Sequence, residues 1–470
     1  MNLFDSLHKK FFSSDSEVGI SNENGVSDEI RRYDIEERGF KSRIHLRENL
    51  DGSGILLVNA SRIMHLNPTA VEMAKLYLDK MPIETAIVEL EKSYSVSRQK
   101  LKEDYQELIG QLEELINPNG ACPICDLNLD TLPPFSAIPS APYRMDLAVT
   151  YRCNNDCAHC YNDRPRNHPE LTTDQWKSIL QALWEIGIPH IVFTGGEPTL
   201  REDLPELIQF AENLGQITGI NTNGRRLKDS NYVERLKDAG LDHIQITLES
   251  ADPKIHDAIV RRQGAWLETI QGIENALKSS LFVMTNSTLL QPNIQTLIGL
   301  LNFLSEKGVP TVGLNALIYS GKGADCNTGL LESELPAYLE KARDFTSSHN
   351  QRLIWYTPTQ YCHFDPKLMD LGVKGCTAAL YNMCVESDGS VIPCQSYYFP
   401  LGNLLKDSWD DIWNHPLAVG LRERHNLPEE CNQCSFVKEC GGGCPLARMV
   451  KQIDHPKAIR PYSYIMGGNY

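Results

Sequence analysis

The stretch MDLAVTYRCNNDCAHC, residues 145–160, decides how this chain is read. An apolar, strand-like run passes directly into Cys153, Cys157 and Cys160, spaced Cys-x3-Cys-x2-Cys. Three thiolates on one loop suit three corners of an iron–sulfur cube, and similar spacings also serve zinc. No fourth cysteine follows locally, and His159 and Tyr161 are poor substitutes for one. One metal position is therefore expected to stay open for a substrate or cofactor.

Downstream, HIVFTGGEP (190–198) ends a buried-strand pattern in a Gly-Gly turn carrying one carboxylate. Two glycines let backbone approach a ligand closely, and Glu197 offers acceptors to an ammonium group. With both motifs present, the chain resembles the radical S-adenosylmethionine (SAM) enzymes. The resemblance implies that Cys153, Cys157 and Cys160 bind a [4Fe–4S] cluster whose fourth iron takes SAM. It also implies that Gly195, Gly196, Glu197 and Pro198 hold the methionyl amine, and that Tyr161 lies near adenine. A structural zinc loop is the alternative.

From 143 to 325, six strand-like runs alternate with amphipathic stretches such as TTDQWKSILQALWEIG. This β–α alternation implies an α/β fold with a parallel sheet and crossover helices. Six repeats fall short of a closed eight-fold barrel, and the resemblance implies a partial (β/α)6 barrel. Chemistry in such folds gathers at the C-terminal strand ends. Asn223, Ser250 and Asn286 are therefore expected to face SAM, with Arg261 or Arg262 reaching its carboxylate. Tyr319, Lys322 and Asp325 are further candidates for the barrel interior. An Asn or Ser at a strand end also serves simply as a helix cap.

Residues 326–374 read as connecting helices, and 375–450 as a Cys-rich domain. This domain resembles the SPASM extension, which carries one or two auxiliary [4Fe–4S] clusters. By position, Cys376, Cys384, Cys394 and Cys444 would ligate the first cluster. Cys431, Cys434 and Cys440 would supply three ligands of the second. The usual eighth cysteine is absent, since residues 445–470 contain none. Asp454 or His455 could reach an open iron, while Cys326 and Cys362 read as inert packed thiols. Trp409 and Trp413 read as core, Asp388-Gly389 as a tight turn, and a zinc ribbon as the alternative metal site.

At the other end, residues 1–40 read as a mobile arm. A hairpin (RIHLRE, then GILLVNASRIMHL) and three helices are expected over 41–117, the first capped by Asn67 with Pro68 at its first turn. This winged-helix-like block resembles the peptide-recognition domain typified by the pyrroloquinoline quinone precursor chaperone (PqqD), which takes a leader peptide as an added strand. A generic packing domain is the alternative. Residues 118–142 read as a linker holding Cys122 and Cys125, and 451–470 as a tail.

The chain has 470 residues, 45 basic against 61 acidic, for a net charge of −16. That balance argues against nucleic acid or an anionic membrane as partner. No eighteen-residue apolar run and no signal peptide are evident, so a cytoplasmic location is expected, and fourteen cysteines there point to metal rather than disulfides. The resemblance implies a radical SAM maturase that oxidatively modifies or crosslinks a ribosomally made precursor peptide, with a flavodoxin- or ferredoxin-type electron donor. The alternatives are a sulfatase-type maturase or a haem or quinone pathway enzyme, and an electron carrier without SAM chemistry.

Overall fold

The computed structural model describes residues 29–37, 40–49, 51–59, 62–116, 139–425 and 427–453. Cys122, Cys125, Asp454, His455, residues 1–28 and most of the tail lie outside the described residues. The chain divides into two compact units.

The N-terminal unit is an antiparallel sheet in the order β1(Glu29–Glu37), β2(Phe40–Glu48), β3(Gly54–Val58), β4(Arg62–Leu66), followed by three helices. Residues 29–37, expected within the arm, form β1 and pair along their length with β2. The charges of EIRRYDIEE mask a strand that buries Ile35. Helix α1(Pro68–Leu78) starts as expected, with Asn67 Oδ1 accepting the Ala70 N–H at 2.8 Å. Helices α2(Ile83–Ser93) and α3(Arg98–Ile116) complete the unit. The three-to-four spacing of Leu101, Tyr105, Leu108, Leu112 and Leu115 puts all five in one core with Leu46, Leu56, Val71 and Leu90.

The second unit is built on a ten-stranded sheet in the order β11-β10-β9-β8-β7-β6-β5-β12-β13-β14. Strands β5(Arg144–Thr150), β6(His190–Gly195), β7(Ile217–Thr222), β8(His243–Thr247), β9(Phe282–Thr288) and β10(Thr311–Asn315) are the six expected parallel strands. Each is returned by a helical crossover, beginning with α4(Thr173–Glu185) and α5(Leu204–Leu214). In β8 the alternation is visible: Ile244 and Ile246 are buried, while His243, Gln245 and Thr247 are partly open.

The sheet is longer than six strands. Residues 326–374 contain a helix, Leu335–Ser348, and also β11(Arg352–Trp355), a seventh parallel strand on β10. Four residues are too few to show a sequence period. At the other edge β12(Asn382–Val385) pairs parallel with β5, Met383 opposite Met145, and β13(Ser390–Ile392) and β14(Gly402–Asn403) continue antiparallel. The Cys-rich region is thus part of the same sheet. The Asp388-Gly389 turn forms as expected, Gly389 at φ 88°.

Candidate functional site

Thr150 ends β5, and the chain leaves the sheet as the loop holding Cys153, Cys157 and Cys160. The Gly-Gly turn after β6 packs directly on that exit. Gly196 N–H donates to Thr150 O at 2.7 Å and Glu197 N–H to Arg152 O at 2.8 Å. A Cβ on Gly195 would stand 2.1 Å from Thr150 O, and one on Gly196 2.4 Å from Arg152 O. The absence of a Cβ at both glycines lets the turn lie directly against the cysteine loop.

Glu197 is buried, and protein donors surround it. Its Oε1 accepts from Thr199 Oγ1 and Thr222 Oγ1, both at 2.6 Å, and its Oε2 from the Asn223 N–H at 2.8 Å. Burial pushes its carboxyl upward against these bonds. Pro198 opens a short 3-10 turn behind it.

The loop is gripped on every side. Asn223 Nδ2 donates to Asn154 Oδ1 at 2.6 Å, and Arg225 donates to Asn154 O at 2.6 Å and Asn155 Oδ1 at 3.0 Å. Arg166 donates to Cys153 O at 2.6 Å and Asp156 at 2.9 Å. The end of the helix Pro253–Val260 accepts N–H groups of Asp156 and Ala158, and Gly323 N–H donates to Cys160 O. None of these roles of Asn154, Asn155, Arg166 and Arg225 was legible beforehand, because each depends on contacts between segments apart in the sequence, the longest about seventy residues apart.

The other expected residues are placed as follows. The Tyr161 hydroxyl donates to Gln395 Oε1 at 3.2 Å. Ser250 is fully buried and accepts the Asp252 N–H, a local cap. Arg261 caps the helix Pro253–Val260 in the left-handed conformation and is exposed near Asp156, while Lys322 binds Asp156 at 2.6 Å. Asn286 lies beside Gly313: a Cβ there would stand 2.5 Å from the Tyr356 ring and 3.1 Å from Asn286 Oδ1.

Burial lifts the thiol of Cys153 to about 11 and that of Cys157 well above the usual range, and Cys153 and Cys160 add to the rise at Cys157. Three such thiols become thiolates only around a cationic centre, so the set fits a cluster. Among the described residues, no three His, Cys, Asp or Glu side chains close around a single ion.

The C-terminal cysteines fall into two sets. Burial raises the thiols of Cys376, Cys394 and Cys444, Cys376 to about 12; Cys444 adds to the rise at Cys376, both add to it at Cys394, and Cys384 has Cys394 as a neighbour. Cys431, Cys434 and Cys440 form the second group, and the thiol of Cys362 joins it. Cys362 is exposed, not the packed thiol expected. Cys326, within bonding distance of Thr328 Oγ1, lies among Ile255, Leu290 and Leu317. The rings of Trp409 and Trp413 stack at 5.6 Å, with Trp413 in the core.

The two cysteine-bearing regions touch. Arg164 donates to both oxygens of Glu386, at 2.6 and 2.8 Å, and Tyr398 donates to Asn162 at 3.1 Å.

Residues 147–304 match the Radical SAM superfamily, 376–435 the SPASM iron–sulfur cluster-binding domain, and 54–115 the coenzyme PQQ synthesis protein D family. The chain is a radical SAM enzyme with SPASM and PqqD domains. Those domains imply [4Fe–4S] clusters and SAM as its cofactors. The radical SAM enzyme superposes on Streptococcus suis SuiB bound to S-adenosylmethionine with a TM-score of 0.65, at 19% identity, over 87% of this chain and 95% of that one. SuiB bound to precursor peptide SuiA gives 0.64 at 18%, over 85% and 94%. The enzyme anSMEcpe with bound AdoMet gives 0.54 at 19%, over 65% and 90%. Fe-coproporphyrin III synthase of Methanosarcina barkeri is 26% identical over 327 residues, 63% of this chain and 81% of its own length. No helix among the described residues is long and apolar enough to cross a membrane.

Proposed function

We propose that this enzyme matures a ribosomally made precursor peptide by radical chemistry. Cys153, Cys157 and Cys160 would hold a [4Fe–4S] cluster through three irons, and Cys376, Cys384, Cys394 and Cys444 an auxiliary one. SAM bound at the open iron supplies, on one-electron reduction, the 5′-deoxyadenosyl radical that takes a substrate hydrogen. The single observation that carries the reading is a loop of three half-buried thiols, without a fourth, clamped under a turn that backbone contacts fix. The clamp of Asn223, Arg225 and Arg166 keeps the loop's geometry constant, so that binding is not spent on ordering it.

The leader of the precursor would add as a strand at an edge of the N-terminal sheet, whose outer strands among the described residues are β1 and β4. The similar structure of SuiB is bound to a precursor peptide, which supports a peptide as the partner. An acidic flavodoxin or ferredoxin would deliver the electron. Arg166, Lys322 and Arg261 gather around Asp156 on the cysteine loop of a chain that is otherwise strongly acidic, which favours such a donor.

The test is anaerobic turnover of SAM to 5′-deoxyadenosine with dithionite, together with leader binding to the full chain, using a short reading frame encoded next to this one. No cleavage of SAM sinks the reading. A second reading, a haem-pathway substrate, is favoured by the Methanosarcina barkeri relative. Saturable coproporphyrin binding with no leader binding would establish it.

A further inference from the structure

The second auxiliary group has three cysteines in the Cys-x2-Cys-x5-Cys run, and residues 445–470 contain none. The fold supplies another from upstream. After β11 the chain turns at Thr359–Cys362 and lies against the 436–443 segment. The Tyr361 N–H donates to Cys440 Sγ at 3.4 Å, and Thr359 O lies 3.5 Å from the same sulfur. The Tyr361 and Phe436 rings meet at 6.0 Å, and Lys367 is ion-paired with Glu439. The contact is close enough that a Cβ on Gly443 would stand 2.7 Å from Gln360 Cγ.

This packing brings Cys362 beside the group. Its electrostatic neighbours include the thiols of Cys440 and Cys434, and Cys431 in turn has Cys362, Cys434 and Cys440 among its own. Cys362 is exposed while Cys440 is buried, so the four thiols span from interior to surface. Glu332 also lies near Cys362 but is bound by His363.

We infer that Cys362 is the fourth ligand of the second auxiliary [4Fe–4S] cluster, with Cys431, Cys434 and Cys440, leaving that cluster no open iron. Each thiol would bind as thiolate and release its proton to solvent. The ligand comes from the strap that follows the barrel's last strand, so the cluster would tie that strap to the C-terminal run. The inference rests on the proposed reading of the C-terminal cysteines as two cluster sites, and its test does not use SAM turnover.

The full-length chain carrying Cys153→Ala, Cys157→Ala and Cys160→Ala isolates the C-terminal sites. After anaerobic reconstitution it should hold about eight irons and eight sulfides, and cyanide, a ligand for open irons, should leave its reduced EPR signals unchanged. Adding Cys362→Ala should either cut the content to about four irons or create one cyanide-shifted signal. Cys362→Ser should behave likewise, while Asp454→Ala and His455→Ala should change nothing. Cyanide sensitivity before Cys362 is replaced would overturn the inference. So would about eight cyanide-silent irons in Cys362→Ala, or cluster loss in the Asp454 or His455 variant. Loss of both clusters in Cys362→Ala and Cys362→Ser also counts against it, because a ligand of one cluster spares the other. Failure of SAM cleavage in the native chain would instead strike the proposed function and leave these iron counts untouched.

Discussion

His159 Nε2 lies 3.1 Å from Oε1 of Glu249, a carboxylate with no exposed surface. Glu249 Oε2 accepts the Thr288 N–H at 2.9 Å, so one side chain ties the middle of the cysteine loop to the ends of β8 and β9. His159→Ala removes that contact, made between Cys157 and Cys160 in the chain. Cluster loss to a chelator, followed by absorbance near 400 nm, should quicken by about tenfold or more. An unchanged rate would show that Asn223, Arg225 and Arg166 suffice.

Gly196→Ala places a methyl 2.4 Å from the carbonyl of Arg152. Neither backbone can yield without losing the Gly196–Thr150 and Glu197–Arg152 bonds. We expect a loss of about 2–4 kcal/mol in denaturant unfolding and little SAM cleavage. Near-native values for both would contradict the packing described.

His243 is only partly open to solvent, with Arg144 as a charged neighbour, and its Nε2 lies 2.9 Å from that of His190. Burial lowers its pKa from 6.5 to about 4. In the unfolded chain the ring takes its proton near 6.5, while the folded protein resists until about 4. Stability should therefore be intact above pH 6.5 and decline as pH falls toward 4, by up to about 3 kcal/mol. His243→Gln should flatten that segment of a chemical-unfolding profile.

Leu112 has no exposed surface at the centre of the N-terminal core. Leu112→Ala should cost that unit about 3 kcal/mol. Leader binding by fluorescence anisotropy should weaken, while peptide-independent SAM cleavage stays close to the unsubstituted rate. Equal losses in both would mean that the N-terminal unit does more than hold a leader.

The triple replacement of Cys153, Cys157 and Cys160 by Ala should abolish SAM cleavage and remove about four irons per chain. Retention of the full iron content would place the cluster elsewhere.

The sequence by itself determined the chemistry-bearing pieces. Cys153, Cys157, Cys160 and the Gly195–Glu197 turn are contiguous, and local spacing is enough to read a loop ligand set or a strand end. The helical period of α3 and the Asn67 cap were legible for the same reason, since i to i+4 contacts lie within one element. The tertiary structure alone decided what depends on side chains far apart in the chain. It turned the two glycines toward the cysteine loop, surrounded Glu197 with protein donors, added β1 and β11, and joined β12 to β5. It also brought Cys362 to Cys440. These outcomes depend on curvature, register and packing of the whole sheet, which no local spacing encodes.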